Sequence, residues 1–163
     1  MAPMSTFRLA VERALTGVGP FTRAAVESIL EIAYLTMAVD EELRDEEIEA
    51  FSVIAAAMLQ GRTQGERLDD DSLKKWLDRF GEKLDRDTLE GRLEAAVGRL
   101  GDDHKAKLAA YRVSYLMAMS DMDAADKEFE FDLQLIASLG ISQDDADVTA
   151  DEVNVALQEP EAN

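Results

Sequence analysis

The sequence predicts an all-α fold, a single-domain helical bundle of about seven helices, and three observations carry that expectation. Apolar residues recur at helical spacing along most of the chain. Three prolines and nine glycines in 163 residues leave too few turn-formers for an all-β chain or a loop-dominated one. Hydrophobic residues reach 47% and charged residues 32%, an ordinary globular balance for a chain long enough to bury one core.

Residues 22 to 39 set Val26, Ile29, Leu30, Ala33, Tyr34 and Met37 at helical spacing, and Ile32, Leu35 and Val39 make the second half apolar nearly all round. This pattern predicts a central helix. Residues 45 to 60 repeat it through Ile48, Phe51, Ile54, Ala55, Met58 and Leu59, before "GRTQGERLDDD" supplies glycine and charge for a surface loop. Two one-sided helices follow, one carrying Leu73, Trp76, Leu77, Phe80 and Leu84 and the next Leu89, Leu93, Val97 and Leu100. From about Asp103 to Ser120 the chain turns apolar on all sides again at "VSYLMAM", predicting a second central helix. Phe129, Leu133, Ile136 and Leu139 then line one face of a helix closed by Gly140. The expected domain runs over residues 1–146. Residues 147–163 read as an acidic tail with one short helix at most, started by Thr149 with Glu152 three positions on.

Charge excludes several functions. Seventeen Lys and Arg stand against 35 Asp and Glu, and the formal net charge of −18 repels phosphate backbones and anionic headgroups, so nucleic acid is not expected as a partner. Cysteine is absent, which removes disulfides, thiolate zinc sites and Cys nucleophiles. Arg8, Glu12 and Arg13 interrupt the apolar run that a signal peptide needs, and no stretch approaches the ~18 apolar residues of a membrane span. These features predict a cytoplasmic protein without membrane insertion. His104, the single histidine, stands among Asp102, Asp103 and Lys105 and is expected in solvent, so no His-based triad or zinc site can be assembled. Met37, Met58, Met117, Met119 and Met122 read as packing, and Trp76 as a core or edge anchor.

Sliding the chain on itself by 81 positions places Tyr34 on Tyr115, Leu35 on Leu116, and then Asp40 on Asp121, Glu42 on Asp123, Asp45 on Asp126 and Glu47 on Glu128. Coincidence of an apolar register with the acids that follow it predicts an internally duplicated helix, loop, helix unit. Asp40 and Asp121 fall at helix C-terminal ends, where unpaired carbonyls favour a cation. Glu42 and Asp123 follow in the loop, and Glu47 and Glu128 fall in the first turn of the next helix. The candidate metal ligands are therefore Asp40, Glu42, Glu47, Asp121, Asp123 and Glu128. Carboxylates without His or Cys suit Ca²⁺, Mg²⁺ or Mn²⁺ rather than Zn²⁺. An EF-hand does not fit, because Asp45 and Asp126 stand where its loop needs glycine and Phe51 stands where the first copy would need its last ligand. The competing reading is that Asp45 and Asp126 cap helices and Glu46, Glu47 and Glu128 complement helix N-termini without metal.

The segments "AYLTMAVDEELRDEE" and "SYLMAMSDMDAADKE", each with a D-x6-E spacing, together with the later "LIASLGIS", resemble the tellurite-resistance TerB-like family over about residues 22 to 142. The resemblance implies a bundle of about seven helices, a divalent-cation site at Asp40, Glu47, Asp121 and Glu128, and a cytoplasmic role in stress or toxic-anion resistance among membrane-associated protein partners. Glu41 and Met122 stand where the family has glycine, and Arg44 and Ala125 where it has a helix cap. The expected function is a non-enzymatic module that binds a divalent cation and engages proteins. A metal-free acidic adaptor is the alternative. A hydrolase ranks third, since no unequal pair of carboxylates in a cleft can be named from the sequence.

Overall fold

Short polar side chains set where several helices begin. In this computed structural model, which describes residues 4–19, 21–39, 45–60, 70–119 and 125–158, the Thr22 hydroxyl accepts from Ala25 N at 3.1 Å and the Thr88 hydroxyl from Gly91 N at 2.9 Å. Asp103 Oδ1 does the same for Ala106 N at 3.1 Å, and Ser142 Oγ for Asp145 N at 3.0 Å. Each contact satisfies an amide that the first helical turn leaves without a partner.

The described residues form eight helices and no strand: α1 (Met4–Leu15), α2 (Arg23–Ala38), α3 (Asp45–Gln60), α4 (Asp70–Asp85), α5 (Leu89–Leu100), α6 (His104–Met119), α7 (Ala125–Leu139) and α8 (Gln143–Gln158). The chain is all-helical and makes one domain. Helices α2 and α6 occupy its middle. Every α2 side chain from Ser28 to Met37 is buried, as are Ala106, Ala109, Ala110, Tyr111, Val113, Leu116 and Met117 of α6. Helix α2 packs on α6 and α5, α8 covers α6 and α1, and α1 also lies on α3. Burial of each large aliphatic side chain in this seam contributes roughly 1.5–3 kcal/mol, which explains why the two nearly all-apolar segments end up at the centre.

Both ends of the chain depart from the sequence expectation. Helix α1 was not foreseen; it buries Phe7, Ala10, Val11 and Ala14 along one stripe. Helix α8 runs well beyond a short segment and begins before Thr149, which sits mid-helix and buried instead of at a cap. Its inward face, Ala146, Thr149, Val153 and Ala156, is part of the molecule's interior, so the boundary drawn at residue 147 falls inside a packed helix. Small residues make that stripe faint in sequence, but they let α8 lie close to its neighbours.

Two glycines meet local demands. Gly140 ends α7 with φ 69° and donates its amide to Ile136 O at 3.1 Å, the left-handed closure that a Cβ disfavours. At Gly91, in the first turn of α5, a Cβ would lie 2.2 Å from Asp87 Oδ1, an oxygen that also accepts from Thr88 N at 2.7 Å. Gly91→Ala must therefore displace Asp87. The lost hydrogen bond costs about 0.5–1.5 kcal/mol, against a helix-propensity gain of up to about 1 kcal/mol. The single variant should come out near neutral, whereas Gly91→Ala in an Asp87→Ala background should exceed Asp87→Ala alone by several tenths of a kcal/mol or more in urea unfolding.

Candidate functional site

The two acid-bearing segments follow α2 and α6 in sequence, so the geometry of those helices bounds where the segments start. Thr36 and Ser114, both buried, meet where α2 crosses α6, with Oγ1 to Oγ at 2.8 Å. The Thr36 hydroxyl donates to Ile32 O at 2.9 Å, so Ser114 is the donor in the interhelical bond. Val39 lies three positions beyond Thr36 and Met119 five beyond Ser114. At a rise of ~1.5 Å per residue, these two points are at most about 20 Å apart whatever the crossing angle. The helices also match in length, 16 residues each, and their first residues, Arg23 and His104, keep the 81-residue offset. Under the same shift α3 would map to a start at 126, and α7 starts at Ala125.

Of the six candidate ligands, Asp40, Glu42, Asp121 and Asp123 lie outside the described residues. Glu128 belongs to α7, and its side chain also lies outside them. Glu47 is described: it occupies the first turn of α3 beside the exposed Asp45 and Glu46, yet only 1% of its surface is accessible. A carboxylate so far withdrawn from water is held by partners within the protein, and its place at a helix N-terminus favours its charge. Among the described residues no group of three or more His, Asp and Glu stands close enough together to hold a metal ion. Nor is any described helix long and apolar enough to cross a membrane.

His104 is largely exposed, with Nε2 3.4 Å from Asp145 Oδ2. Met37 and Met117 are buried in the core, and Met58 and Met119 are partly buried; Met122 lies outside the described residues. Trp76 is buried under two guanidinium groups, Arg23 at 5.7 Å and Arg79 at 5.1 Å from its ring centroid.

Two polar clusters escaped the sequence reading. In the first, Glu31, 1% exposed in the middle of α2, receives Arg92 Nε at 2.7 Å on one oxygen, and Arg92 Nη2 at 2.9 Å and Arg99 Nη1 at 3.2 Å on the other. An acid within the apolar half of α2 was the available signal, since ionised Glu is rarely buried without a partner. Its partners, 61 and 68 residues away, carry no local mark. In the second, Tyr111 of α6 donates its hydroxyl to Asp132 of α7, the Tyr111 and Tyr115 rings sit 6.2 Å apart, and Asn154 Nδ2 of α8 donates to Tyr115 Oη at 3.1 Å.

Burial, with a smaller addition from Asp147, pushes the Asp132 carboxyl above the usual carboxylate range, although the Tyr111 hydrogen bond works the other way. A raised native pKa means that the folded state holds the proton more tightly than the unfolded chain. This contribution to stability is complete below the ordinary carboxylate pKa and is lost as pH rises through the native value. At neutral pH the ionised group is thus a cost. Asp132→Asn, which keeps an acceptor for Tyr111, is expected to raise Tm at pH 7 and to lose that advantage in acid; paired thermal melts across this range check it.

Compared with family models, curated proteins and solved structures, the chain found no match in any of the three.

Proposed function

We propose that the protein is a non-enzymatic, TerB-like module that binds a divalent cation, Ca²⁺, Mg²⁺ or Mn²⁺, at the corners after α2 and α6 and engages protein partners. In this reading Asp40, Glu42 and Glu47 supply oxygens in one half, Asp121, Asp123 and Glu128 in the other, and the halves descend from one duplicated unit. The observation that carries it is the matched pair of 16-residue helices, offset by 81 positions and each followed in sequence by the same order of acids. Support also comes from Glu47, whose carboxyl is withdrawn from bulk water. Ca²⁺ takes six to eight oxygens at about 2.3–2.6 Å and Mg²⁺ six at about 2.0–2.1 Å, more than three carboxylates provide singly, so backbone carbonyls or water complete each shell.

The second reading is a metal-free acidic adaptor in the same cellular setting, the cytoplasm. Interactions of Glu47 inside the protein favour it, because a carboxylate already satisfied at a helix N-terminus has less to gain from a cation.

Calorimetric titration of the whole chain with each cation separates the two. Binding with a Kd between about 10⁻⁶ and 10⁻³ M is expected, weakened at least about tenfold by Asp40→Asn with Asp121→Asn. Glu47→Gln with Glu128→Gln serves as a second pair, in which the buried Glu47 carries a folding cost. No heat from the wild type at millimolar cation would leave the adaptor. A stoichiometry of one or two ions decides whether the corners share a site.

A further inference from the structure

Helix lengths run 12, 16, 16 and 16 residues over α1–α4 and 12, 16, 15 and 16 over α5–α8. The likeness extends to the buried faces. Phe7, Ala10, Val11 and Ala14 of α1 fall on Leu93, Ala96, Val97 and Leu100 of α5 at an offset of 86, all of them buried or partly buried. Leu73, Trp76 and Phe80 of α4 fall on Ala146, Thr149 and Val153 of α8 at an offset of 73, and all six are buried. Thr22 and Asp103, 81 positions apart, cap α2 and α6. A Cβ at Gly81 of α4 would stand 3.3 Å from Tyr34 Oη; its counterpart on α8, Asn154, donates to Oη of Tyr115, the counterpart of Tyr34.

Pairings between helices repeat as well. Helix α2 lies on α3 and α4 as α6 lies on α7 and α8, and α1 touches α3 as α5 touches α7. The fourth helix of each set meets the first helix of the other, α4 with α5 and α8 with α1. The α2–α6 crossing is its own counterpart, as at the axis of a two-fold dimer. Polar contacts are exchanged across it. Glu31 of α2 takes Arg99 of α5, while Arg112 of α6, 81 positions after Glu31, donates to Ala14 O of α1, next to Arg13, the counterpart of Arg99.

From this exchange we infer that the chain is two four-helix units, α1–α4 and α5–α8, that recognise each other through a dimer-type interface, with Glu31 and Arg112 selecting the unlike unit as partner. The selection follows from charge. Two first units would put Thr6 in the place of Arg92, which grips the buried Glu31 with two nitrogens. A buried carboxylate would then lose its main counterion. Two second units would set Arg112 against Arg92 and Arg99, three guanidiniums of which Glu152, the partner of Arg112 within its own unit, answers one. Each like pair is thus disfavoured by a charge that the unlike pair satisfies. The pairing needs no cation, so a failed metal titration leaves it standing.

A protease recognition sequence inserted between Arg86 and Asp87 lets the folded chain be cut at the joint between the units. The cut protein is expected to keep its helical circular dichroism, to elute as one 1:1 complex, and to show a Tm that rises with concentration. After unfolding in urea and dilution, native mass spectrometry should find the unlike pair at least about tenfold above either like pair. In the cut Glu31→Leu, Arg92→Met, Arg112→Leu variant this excess should fall towards the statistical ratio of about two. Arg112→Leu alone should release only the like pair of second units. Loss of helix or separation of the pieces on cutting, statistical pairing by the wild type, or selectivity unchanged in both variants would overturn the assignment.

Discussion

Arg92→Ala is expected to destabilise the protein by about 3–5 kcal/mol, the cost of leaving one member of a buried ion pair without its counterion. Glu31 would keep only the single 3.2 Å contact from Arg99, too little for a carboxylate sealed between α2 and α5. In a protein of this size the loss corresponds to a Tm lower by roughly 6–20 °C. Arg99→Ala should cost less than about 1 kcal/mol, because its guanidinium is largely in water already. Replacing both partners, as Glu31→Leu with Arg92→Met, should recover most of the deficit, since an apolar pair of similar volume needs no counterion. Urea unfolding of the three variants checks the order. If Arg92→Ala and Arg99→Ala were equal, the cluster would be a surface feature.

Phe80→Ala is expected to cost a similar ~3–5 kcal/mol for a different reason, the cavity left in a packed aromatic group. The Phe80 ring, 1% exposed, lies 5.4 Å from Trp76, 5.7 Å from Tyr34 and 6.5 Å edge-on from Phe51, joining α4 to α2 and α3. Domains of this kind are stable by only ~5–15 kcal/mol, so this deletion takes a large share of the total. Phe80→Leu, which refills much of the space, should cost about half as much or less. Equilibrium unfolding measures the loss, and near-ultraviolet circular dichroism should show Trp76 losing its fixed surroundings in Phe80→Ala but not in Phe80→Leu.

Helices whose apolar content marked them plainly were legible in the sequence. The ranges read for α2 and α3 agree with Arg23–Ala38 and Asp45–Gln60 to within a residue or so, because Thr22 caps one and an acidic first turn opens the other. Helix α1 is faint in the sequence because Arg8, Glu12 and Arg13 interrupt its apolar run, although Phe7, Ala10, Val11 and Ala14 keep the i, i+3, i+4, i+7 spacing of a buried face. For α8, Thr149 and Glu152 imitated a capping box and drew the start seven residues too late; the cap in use is Ser142. Outward Asp144, Asp147 and Asp151 dominated its composition and gave it the look of a tail.

The candidate site was legible only as spacing. An acid's place along a helix can be read from the alternation of apolar neighbours, but whether its oxygens converge with another's depends on contacts between distant segments. Glu31 shows the gap well: nothing near Arg92 in sequence says that the two will meet.

The pairing of α1 with α8, where Arg13 Nη1 donates to Ala156 O at 3.4 Å across 143 residues, has a consequence for the order of assembly. During synthesis α1 emerges long before α8, so its apolar flank must wait, half covered by α3, until the helices between them have left the ribosome. Closure of so distant a contact is entropically late and slow. Until it happens the nascent chain exposes a sticky edge on α1 and α6 together, a natural point of attack for chaperones and proteases.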